Sequence, residues 1–289
     1  MTDLTDYSEI RTLLDRHGFR FSKSMGQNFL TASWVPERIA QEAFLDADSG
    51  VLEIGPGIGC LTEHLSQRAG RVVSIELDRS LEPVLAETLS DCHNTEIVFG
   101  DVMKMNIPQL LAEKFTPYGL HPAVCANLPY NITSPLLTKL IEPDCFESIT
   151  VMIQREVAHR ICSNAGEKDY SAFGLFVQWH MDAEILFDVP PSCFVPQPKV
   201  TSSVIRLKKR NSKPCSVRNE ELMFRIIRAS FNQRRKTFAN ALSSGIPEIN
   251  KNFVFSALDS AGFPADIRGE AMDISGFAAV SDALGDLLK

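Results

Sequence analysis

The sequence predicts an α/β fold, in which a doubly wound parallel sheet is followed by a small helical domain. Short apolar runs alternate with amphipathic segments from Gly50 to Ile153, which is the spacing of βαβ units. A glycine-rich turn separates the first predicted strand from its helix. After Lys208 the polar segment KRNSKPCSVRN interrupts this pattern, and helices alternate with turns beyond it. We therefore expect two domains, residues 1–208 and residues 209–289.

The predicted elements follow one another in the order that a parallel sheet requires. A helix over residues 7–17 comes first and ends at Gly18, a residue suited to a helix C-terminus. The strands then cover residues 51–54, 72–77, 96–100, 123–127 and 149–153, and the helices between them cover residues 60–68, 79–89, 107–115 and 134–141. Two further strands, 183–189 and 200–208, flank the proline-rich loop PPSCFVPQPK. Ligands of such sheets bind at the carboxyl ends of the strands.

Charge is distributed unevenly along this acidic chain. The net charge is −7, but residues 199–240 carry twelve Lys or Arg and two acids, leaving 17 basic and 34 acidic residues elsewhere. A local balance of +10 is what a surface that follows phosphates would show, and a solvated charged face is the alternative. The candidates for phosphate contacts are Arg234, Arg235 and Lys236.

Other features of composition exclude several classes of protein. No stretch approaches the roughly 18 consecutive apolar residues of a membrane span, and the N-terminus does not resemble a secretory signal. The seven cysteines are scattered and never form a C-x-x-C pair, which favours reduced thiols and argues against a structural zinc. We expect a cytoplasmic protein without a metal or a membrane partner.

The run VLEIGPGIGCLTEHL places glycines between a strand and a helix, where backbone can approach a ligand closely. Gly55 and Gly57 are candidate cofactor residues, with a turn that binds nothing as the alternative. Cys60 occupies the third expected glycine position of a dinucleotide fingerprint, which disfavours a phosphate cradle. Glu76, 21 positions after Gly55, can accept the hydroxyls of a ribose, whereas Asp78 is better suited to capping the next helix.

The ends of the third and fourth predicted strands carry further polar groups. Asp101 can accept a hydrogen bond from an adenine amino group. Asn127 begins the segment NLPYNITSPLL, and its side-chain oxygen, together with the carbonyl of Leu128 or Pro129, can hold an amine in line with a methyl donor. Tyr130 can stack on a base taken out of its helix. An Asn-Pro turn with a buried tyrosine is the alternative interpretation.

These motifs, in this order, resemble the ribosomal RNA adenine dimethyltransferases that act on small-subunit RNA. The resemblance covers residues 26–240. It rests on GQNFL (26–30), EIGPGIGCLT (53–62), ELDRSL (76–81), GDVM (100–103), NLPYNITSPLL (127–137), QREVAHRI (154–161), VPPSCFVPQPKVTSSVIRL (189–207) and FNQRRKTFANAL (231–242). Ala126 departs from the glycine that the family favours before the Asn-Leu-Pro-Tyr segment.

The resemblance implies a class I methyltransferase fold that uses S-adenosylmethionine. Gln27, Asn28 and Leu30 would close over this cofactor, and an aromatic residue of the proline-rich loop, Phe194, would stack on the target base opposite Tyr130. The other expected cofactor contacts are Gly55 and Gly57 at the turn, Glu76 at the ribose, Asp101 at the adenine and Asn127 between cofactor and target. The implied reaction is four methyl transfers to two adjacent adenosines near the 3′ end of small-subunit ribosomal RNA, and we expect the enzyme to be a monomer.

Three other functions are compatible with these motifs. The antibiotic-resistance methyltransferases of large-subunit RNA share QNFL and NLPY-like motifs, although the proline-rich segment followed by NQRRKT favours the small-subunit family. A non-catalytic ribosome-assembly or transcription factor on the same fold is a second alternative, disfavoured by the intact segment from Asn127 to Tyr130. A nicotinamide oxidoreductase is the third alternative, disfavoured by Cys60.

Overall fold

The computed structural model describes residues 3–20 and 27–288. Gly26, the first residue of the GQNFL motif, lies outside the described residues. The strands are β1 (Phe29–Leu30), β2 (Ser49–Ile54), β3 (Arg71–Glu76), β4 (Thr95–Phe99), β5 (His121–Asn127), β6 (Ser148–Gln154), β7 (Met181–Val189), β8 (Phe194–Val195) and β9 (Ser202–Lys209). The helices are α1 (Tyr7–Arg16), α2 (Trp34–Glu42), α3 (Cys60–Ser66), α4 (Glu82–Thr88), α5 (Ile107–Lys114), α6 (Thr133–Ile141), α7 (Arg155–Cys162), α8 (Ala172–His180), α9 (Glu220–Asn232), α10 (Phe238–Gly245), α11 (Lys251–Ser260) and α12 (Ile274–Leu287).

The central sheet has seven strands in the order β4-β3-β2-β5-β6-β9-β7. β2 pairs in parallel with β3 and with β5, β3 with β4, and β5 with β6, whereas β9 runs antiparallel to β6. Val51 and Leu52 of the central strand are fully buried, as expected when helices cover both faces of a parallel sheet. The predicted α/β fold with a doubly wound, mainly parallel sheet is confirmed.

The chain divides into two compact units whose boundaries differ from the predicted ones. The first unit comprises Met1–Ala158 and Asp182–Lys209, and the second comprises His159–Met181 and Arg210–Lys289. Tyr170, Leu175 and Trp179 belong to the same buried cluster as residues of α9 to α12, and the Tyr170 hydroxyl donates to the Met272 carbonyl at 3.0 Å. The predicted boundary at residue 208 follows a change in composition. Composition alone does not show that residues 159–181 pack with the helices after that boundary.

Close packing within the second unit leads to a prediction about Gly174 in α8. A β-carbon at Gly174 would lie 2.2 Å from the Arg160 carbonyl oxygen, a backbone atom that cannot rotate away. We therefore expect Gly174→Ala to lower the free energy of unfolding by about 1–3 kcal/mol. Chemical denaturation measures this change.

Gly285→Ala is the matched control, because a β-carbon there would meet only Leu222 at 3.8 Å, an ordinary contact. Since Gly285 lies inside α12, alanine should leave stability unchanged or raise it by up to about 1 kcal/mol. Equal effects of the two substitutions would contradict the packing of residues 159–181 described above.

Candidate functional site

A cavity of about 330 Å³ opens at the carboxyl ends of the parallel strands. Its volume falls at the lower end of the range for small-molecule sites. Nearly all the residues predicted for catalysis or cofactor binding line this cavity, namely Gln27, Asn28, Leu30, Gly55, Gly57, Glu76, Asp101, Asn127, Leu128, Pro129 and Tyr130. Phe194 is not among them. The structure thus brings the residues proposed for cofactor and amine into one concave site.

The glycine-rich turn after β2 has the backbone conformation that its sequence predicts. Gly55 and Gly57 have φ angles of +70° and +60°, in the left-handed region that side chains with a β-carbon rarely adopt. Nothing lies within 4 Å of the position that a Gly55 β-carbon would occupy, so this face of the turn is open. A ligand can therefore approach the backbone closely at Gly55.

Glu76 is the last residue of β3, and its carboxylate is hydrogen-bonded to the glycine-rich turn. Its carboxylate accepts hydrogen bonds from the backbone N–H of Asp78 at 2.8 Å and of Gly57 at 3.3 Å. Burial, which leaves the residue 6% exposed, raises the pKa of Glu76, and these bonds partly offset that effect. Glu76 lines the cavity, where its carboxylate can accept the hydroxyls of a diol.

Asp78 has the capping role that the sequence analysis favoured. One carboxylate oxygen accepts from the Ser80 N–H at 3.0 Å at the start of a short 3-10 helix, and the other accepts from the Gln27 side-chain amide at 2.8 Å. This second bond ties Gln27, from the segment before β1, to the loop that follows β3. The predicted placement of Gln27 near the cofactor site thus has a specific anchor.

Glu53 is a site residue that the sequence analysis did not single out. It lines the cavity, is 1% exposed, and accepts hydrogen bonds from Thr62 at 2.7 Å and Ser74 at 2.6 Å on the same oxygen. Burial, reinforced by the nearby Glu76 charge, raises the pKa of Glu53 to about 7, although the two hydroxyls oppose the shift. The available signal was a pair of polar residues, Glu53 and Ser74, in the interior of strands that are otherwise largely apolar.

Asp101 follows β4 at the same edge of the sheet and is half-buried. One of its oxygens accepts from the Met103 N–H at 3.0 Å, and the other lies 3.6 Å from the Lys104 ammonium. Lys104 is largely exposed, so this ion pair is screened by solvent. The carboxylate is therefore oriented by its own turn, and Asp101 lines the cavity.

The loop after β5 contains the two backbone carbonyls predicted to accept from an amine, those of Leu128 and Pro129. The Leu128 N–H donates to the Met152 carbonyl at 3.1 Å, which fixes the start of the loop. The Pro129 carbonyl already accepts from the Ile132 N–H at 3.3 Å and from the Thr133 hydroxyl at 3.1 Å. Within the part of the chain that the structure describes, no hydrogen bond reaches the Leu128 carbonyl. The Leu128 carbonyl is thus the better acceptor to act with Asn127.

Tyr130 is partly buried at the wall of the cavity, and its hydroxyl lies 2.5 Å from the hydroxyl of Ser202 at the start of β9. Burial raises the pKa of Tyr130, and the bond to Ser202 offsets part of that shift. The sequence analysis assigned Tyr130 a stacking role only and did not identify Ser202. A serine in the run VTSSVIRL carries no local signal of a partner 72 positions earlier.

Phe194 differs from its expected placement. The residue is 0% exposed, pairs with Leu30 between β8 and β1, and belongs to the buried cluster that includes Phe29 and Cys193. The short antiparallel pairing of β8 with β1 places Phe194 within this apolar cluster. In this conformation the ring has no free face for a base.

The basic run after α9 also differs in part from the prediction. The Arg234 guanidinium lies 3.0 Å from the Glu270 carboxylate and donates to the Lys168 carbonyl at 3.1 Å, so it is engaged within the second unit. Arg235 and Lys236 are exposed and have no ion pair with any residue that the structure describes. These two side chains, rather than Arg234, are the better candidates for a polyanion.

Two further observations concern ions and membranes. In residues 3–20 and 27–288, His, Cys, Asp and Glu side chains form no group arranged to hold a metal ion. Of the helices described, none combines the length and the apolar character needed to cross a membrane.

Comparison with known proteins identifies a family. The model of the family "Ribosomal RNA adenine dimethylase" matches residues 18–260. The protein "Ribosomal RNA small subunit methyltransferase A" of Lachnoclostridium phytofermentans is 44% identical, with 100% of both chains covered. The protein of the same name from Geobacillus thermodenitrificans is 42% identical, with 99% of each chain covered.

Two solved structures share the architecture. A dimethyladenosine transferase from Plasmodium falciparum has a TM-score of 0.72 and 26% identity, with 87% of this chain and 95% of that chain covered. The 23S rRNA methyltransferase ErmE has a TM-score of 0.67 and 28% identity, with 89% of this chain and 99% of that chain covered.

The buried Glu53 carboxyl leads to a prediction about pH. Its pKa is raised in the folded protein, so its stabilising contribution is complete below the ordinary value of 4.5 and is lost as pH rises through about 7. Glu53→Gln keeps an oxygen that can accept from Thr62 and Ser74 but does not ionise. Between about pH 5 and about pH 8, the wild type should therefore lose unfolding free energy relative to Glu53→Gln.

Denaturant titrations of both proteins across this range provide the measurement. A difference in stability that stays constant with pH would show that Glu53 titrates normally. Glu113→Gln is a control, because Glu113 is exposed on α5, and this variant should follow the wild-type profile.

Proposed function

The chain belongs to the ribosomal RNA adenine dimethylase family, and we propose that it methylates N6 of two adjacent adenosines near the 3′ end of small-subunit ribosomal RNA. The observation that carries this proposal is the pair of acceptors at the end of β5. The Asn127 side chain and the unengaged Leu128 carbonyl border the same cavity as Glu76 and Asp101. An amine and a methyl donor can therefore be held side by side.

The residues present fit S-adenosylmethionine. Glu76 offers carboxylate oxygens suited to a ribose diol, Asp101 an acceptor suited to an adenine amino group, and Gly55 open backbone. When bound, S-adenosylmethionine supplies an electrophilic methyl group on a positively charged sulfur. Glu53 and Glu76 also give the cavity wall two buried carboxyls, with which a cationic ligand can interact favourably.

Asn127 and Leu128 perform the orienting step of the reaction. The lone pair of adenine N6 is delocalised into the ring, so the amine is a weak nucleophile. Accepting its two N–H groups on the Asn127 oxygen and the Leu128 carbonyl directs the lone pair toward the methyl group and increases electron density on nitrogen. The methylated amine is a cation acidic enough to release its proton to water, so the chain need not supply a strong base.

The choice of small-subunit RNA is supported by two features. The relatives that cover the full chain are named as small-subunit methyltransferases, whereas the large-subunit enzyme ErmE is less similar. The proline-rich loop followed by NQRRKT is the sequence feature that favours the small-subunit family. We place this activity in the cytoplasm, where ribosomal subunits assemble, and assign it to a monomer.

The basic segment of the second unit is proposed to contact RNA phosphates. Arg235 and Lys236 project from the turn after α9, and both are exposed. Arg234 instead serves the fold through Glu270 and Lys168. Exposed cations bind phosphates largely through counterion release, which depends strongly on salt.

Asn127→Ala tests the proposed chemistry. The substitution removes one of two acceptors for the N6 amine, and loss of one oriented hydrogen bond in a transition state typically costs about 100-fold in rate. We expect the single-turnover rate of methyl transfer to unmethylated small subunits to fall by about 100-fold, with little change in affinity for RNA. Asn127→Asp retains an acceptor oxygen and should be less impaired. Wild-type turnover by Asn127→Ala would refute the assignment.

Reversal of the two exposed cations tests the RNA surface. Arg235→Glu with Lys236→Glu should weaken binding of small subunits and reduce the slope of log affinity against log salt by about 2. Lys251→Glu, an exposed charge change at the start of α11, is the matched control and should leave the slope near its wild-type value. If the double variant keeps the wild-type salt slope, the phosphates bind elsewhere.

A further inference from the structure

The Tyr130 side chain is anchored at both of its ends. At the backbone end, the Thr133 hydroxyl donates to the Pro129 carbonyl at 3.1 Å, within the loop that carries the tyrosine. At the far end, the phenol oxygen lies 2.5 Å from the Ser202 hydroxyl, a partner 72 positions away in sequence. Two anchors of independent origin leave the aromatic ring little freedom to rotate.

The sheet places Ser202 at the edge where the candidate site lies. Ser202 is the first residue of β9 and is paired with Gln154, the last residue of β6. β6 in turn lies beside β5, which ends at Asn127. The antiparallel return of β9 thus brings a hydroxyl from late in the chain to the carboxyl end of the strand that carries the amine-binding residues.

We infer that Ser202 is a positioning residue, whose hydroxyl holds the Tyr130 ring in the orientation that stacks the target adenine beside Asn127. This inference rests on the proposed function, because it concerns the base that the proposed reaction methylates. Ser202 itself is fully buried and does not line the cavity. It therefore acts through Tyr130 rather than by touching the substrate.

The chemistry of the pair suits a positioning role. A buried phenol that has lost its solvent needs a hydrogen-bond partner, and a fully buried serine hydroxyl has the same need. Each group can donate or accept, so the pair satisfies both hydroxyls. The orientation of the ring plane matters because stacking fixes where N6 lies, and small displacements of a reacting atom cost large factors in rate.

Ser203 provides a matched control within the same strand. It is also fully buried, and its hydroxyl lies 2.6 Å from the Asp188 carboxylate rather than near the tyrosine. Because successive side chains of a strand point to opposite faces, its loss affects the other face of the sheet. Ser203→Ala therefore removes a buried hydroxyl of β9 without touching Tyr130.

The first experiment measures single-turnover methyl transfer to unmethylated small subunits for five proteins: wild type, Ser202→Ala, Ser203→Ala, Tyr130→Phe and the double variant Tyr130→Phe/Ser202→Ala. We expect about a 10-fold loss of rate for Ser202→Ala and for Tyr130→Phe, as loss of one hydrogen bond would give. The double variant should be no slower than either single variant, because both remove the same bond. Ser203→Ala should react at the wild-type rate, whatever its effect on melting temperature.

A second readout follows stacking without relying on activity. An RNA hairpin of the small-subunit 3′ end, with 2-aminopurine at a target position, loses fluorescence when the base stacks on an aromatic ring. Ser202→Ala should reduce this quenching at saturating protein, whereas Ser203→Ala should not, and affinity for S-adenosylmethionine should be unchanged in both.

The outcomes separate this inference from the proposed function. If wild-type protein transfers no methyl group to small subunits, the proposed function fails. If the wild type is active, and Ser202→Ala matches it in rate and quenching, the positioning role is refuted. Rate losses that multiply in the double variant would also refute it, because Ser202 would then act independently of Tyr130.

Discussion

The parallel pairing of the central strands is the constraint on which the rest of the site depends. β2 pairs with β3 on one side and with β5 on the other. The strands that follow β2 extend the sheet first on the β3 side and then, from β5 onward, on the opposite side. Strands that run in parallel end at the same edge, and loops that leave on opposite sides of such a reversal open a crevice between them. The glycine turn, Glu76, Asp101 and Asn127 follow four adjacent strands into this crevice. Residues as far apart in the chain as Gly55 and Asn127 therefore line one cavity.

Burial gives this site its electrostatic character. Glu53 and Glu76 lie almost entirely out of water, and their hydrogen bonds come from neutral donors, namely two hydroxyls and backbone N–H groups. A buried carboxylate without a cationic partner is costly, which is why the pKa of each is raised. A positively charged ligand in the cavity would reduce this cost.

The sequence predicted the parts of the site that depend on local pattern. Glu76, Asp101 and Asn127 each follow a recognisable strand, and the fold class alone brings strand ends together. Three features could not be predicted this way, because they depend on contacts far apart in sequence. Ser202 meets Tyr130 through the antiparallel return of β9, Phe194 is buried by pairing with β1, and Arg234 is engaged by Glu270. The packing of residues 159–181 with the second unit has the same origin.

The central claim is that one crevice holds a methyl donor beside an adenine of small-subunit RNA. Its most direct test is to incubate the protein with isotopically labelled S-adenosylmethionine and unmethylated small subunits, and then to map the labelled nucleotides by mass spectrometry. We expect label confined to two adjacent adenosines near the 3′ end, each carrying two methyl groups on N6. Label at any other base, or transfer to large-subunit RNA instead, would contradict it.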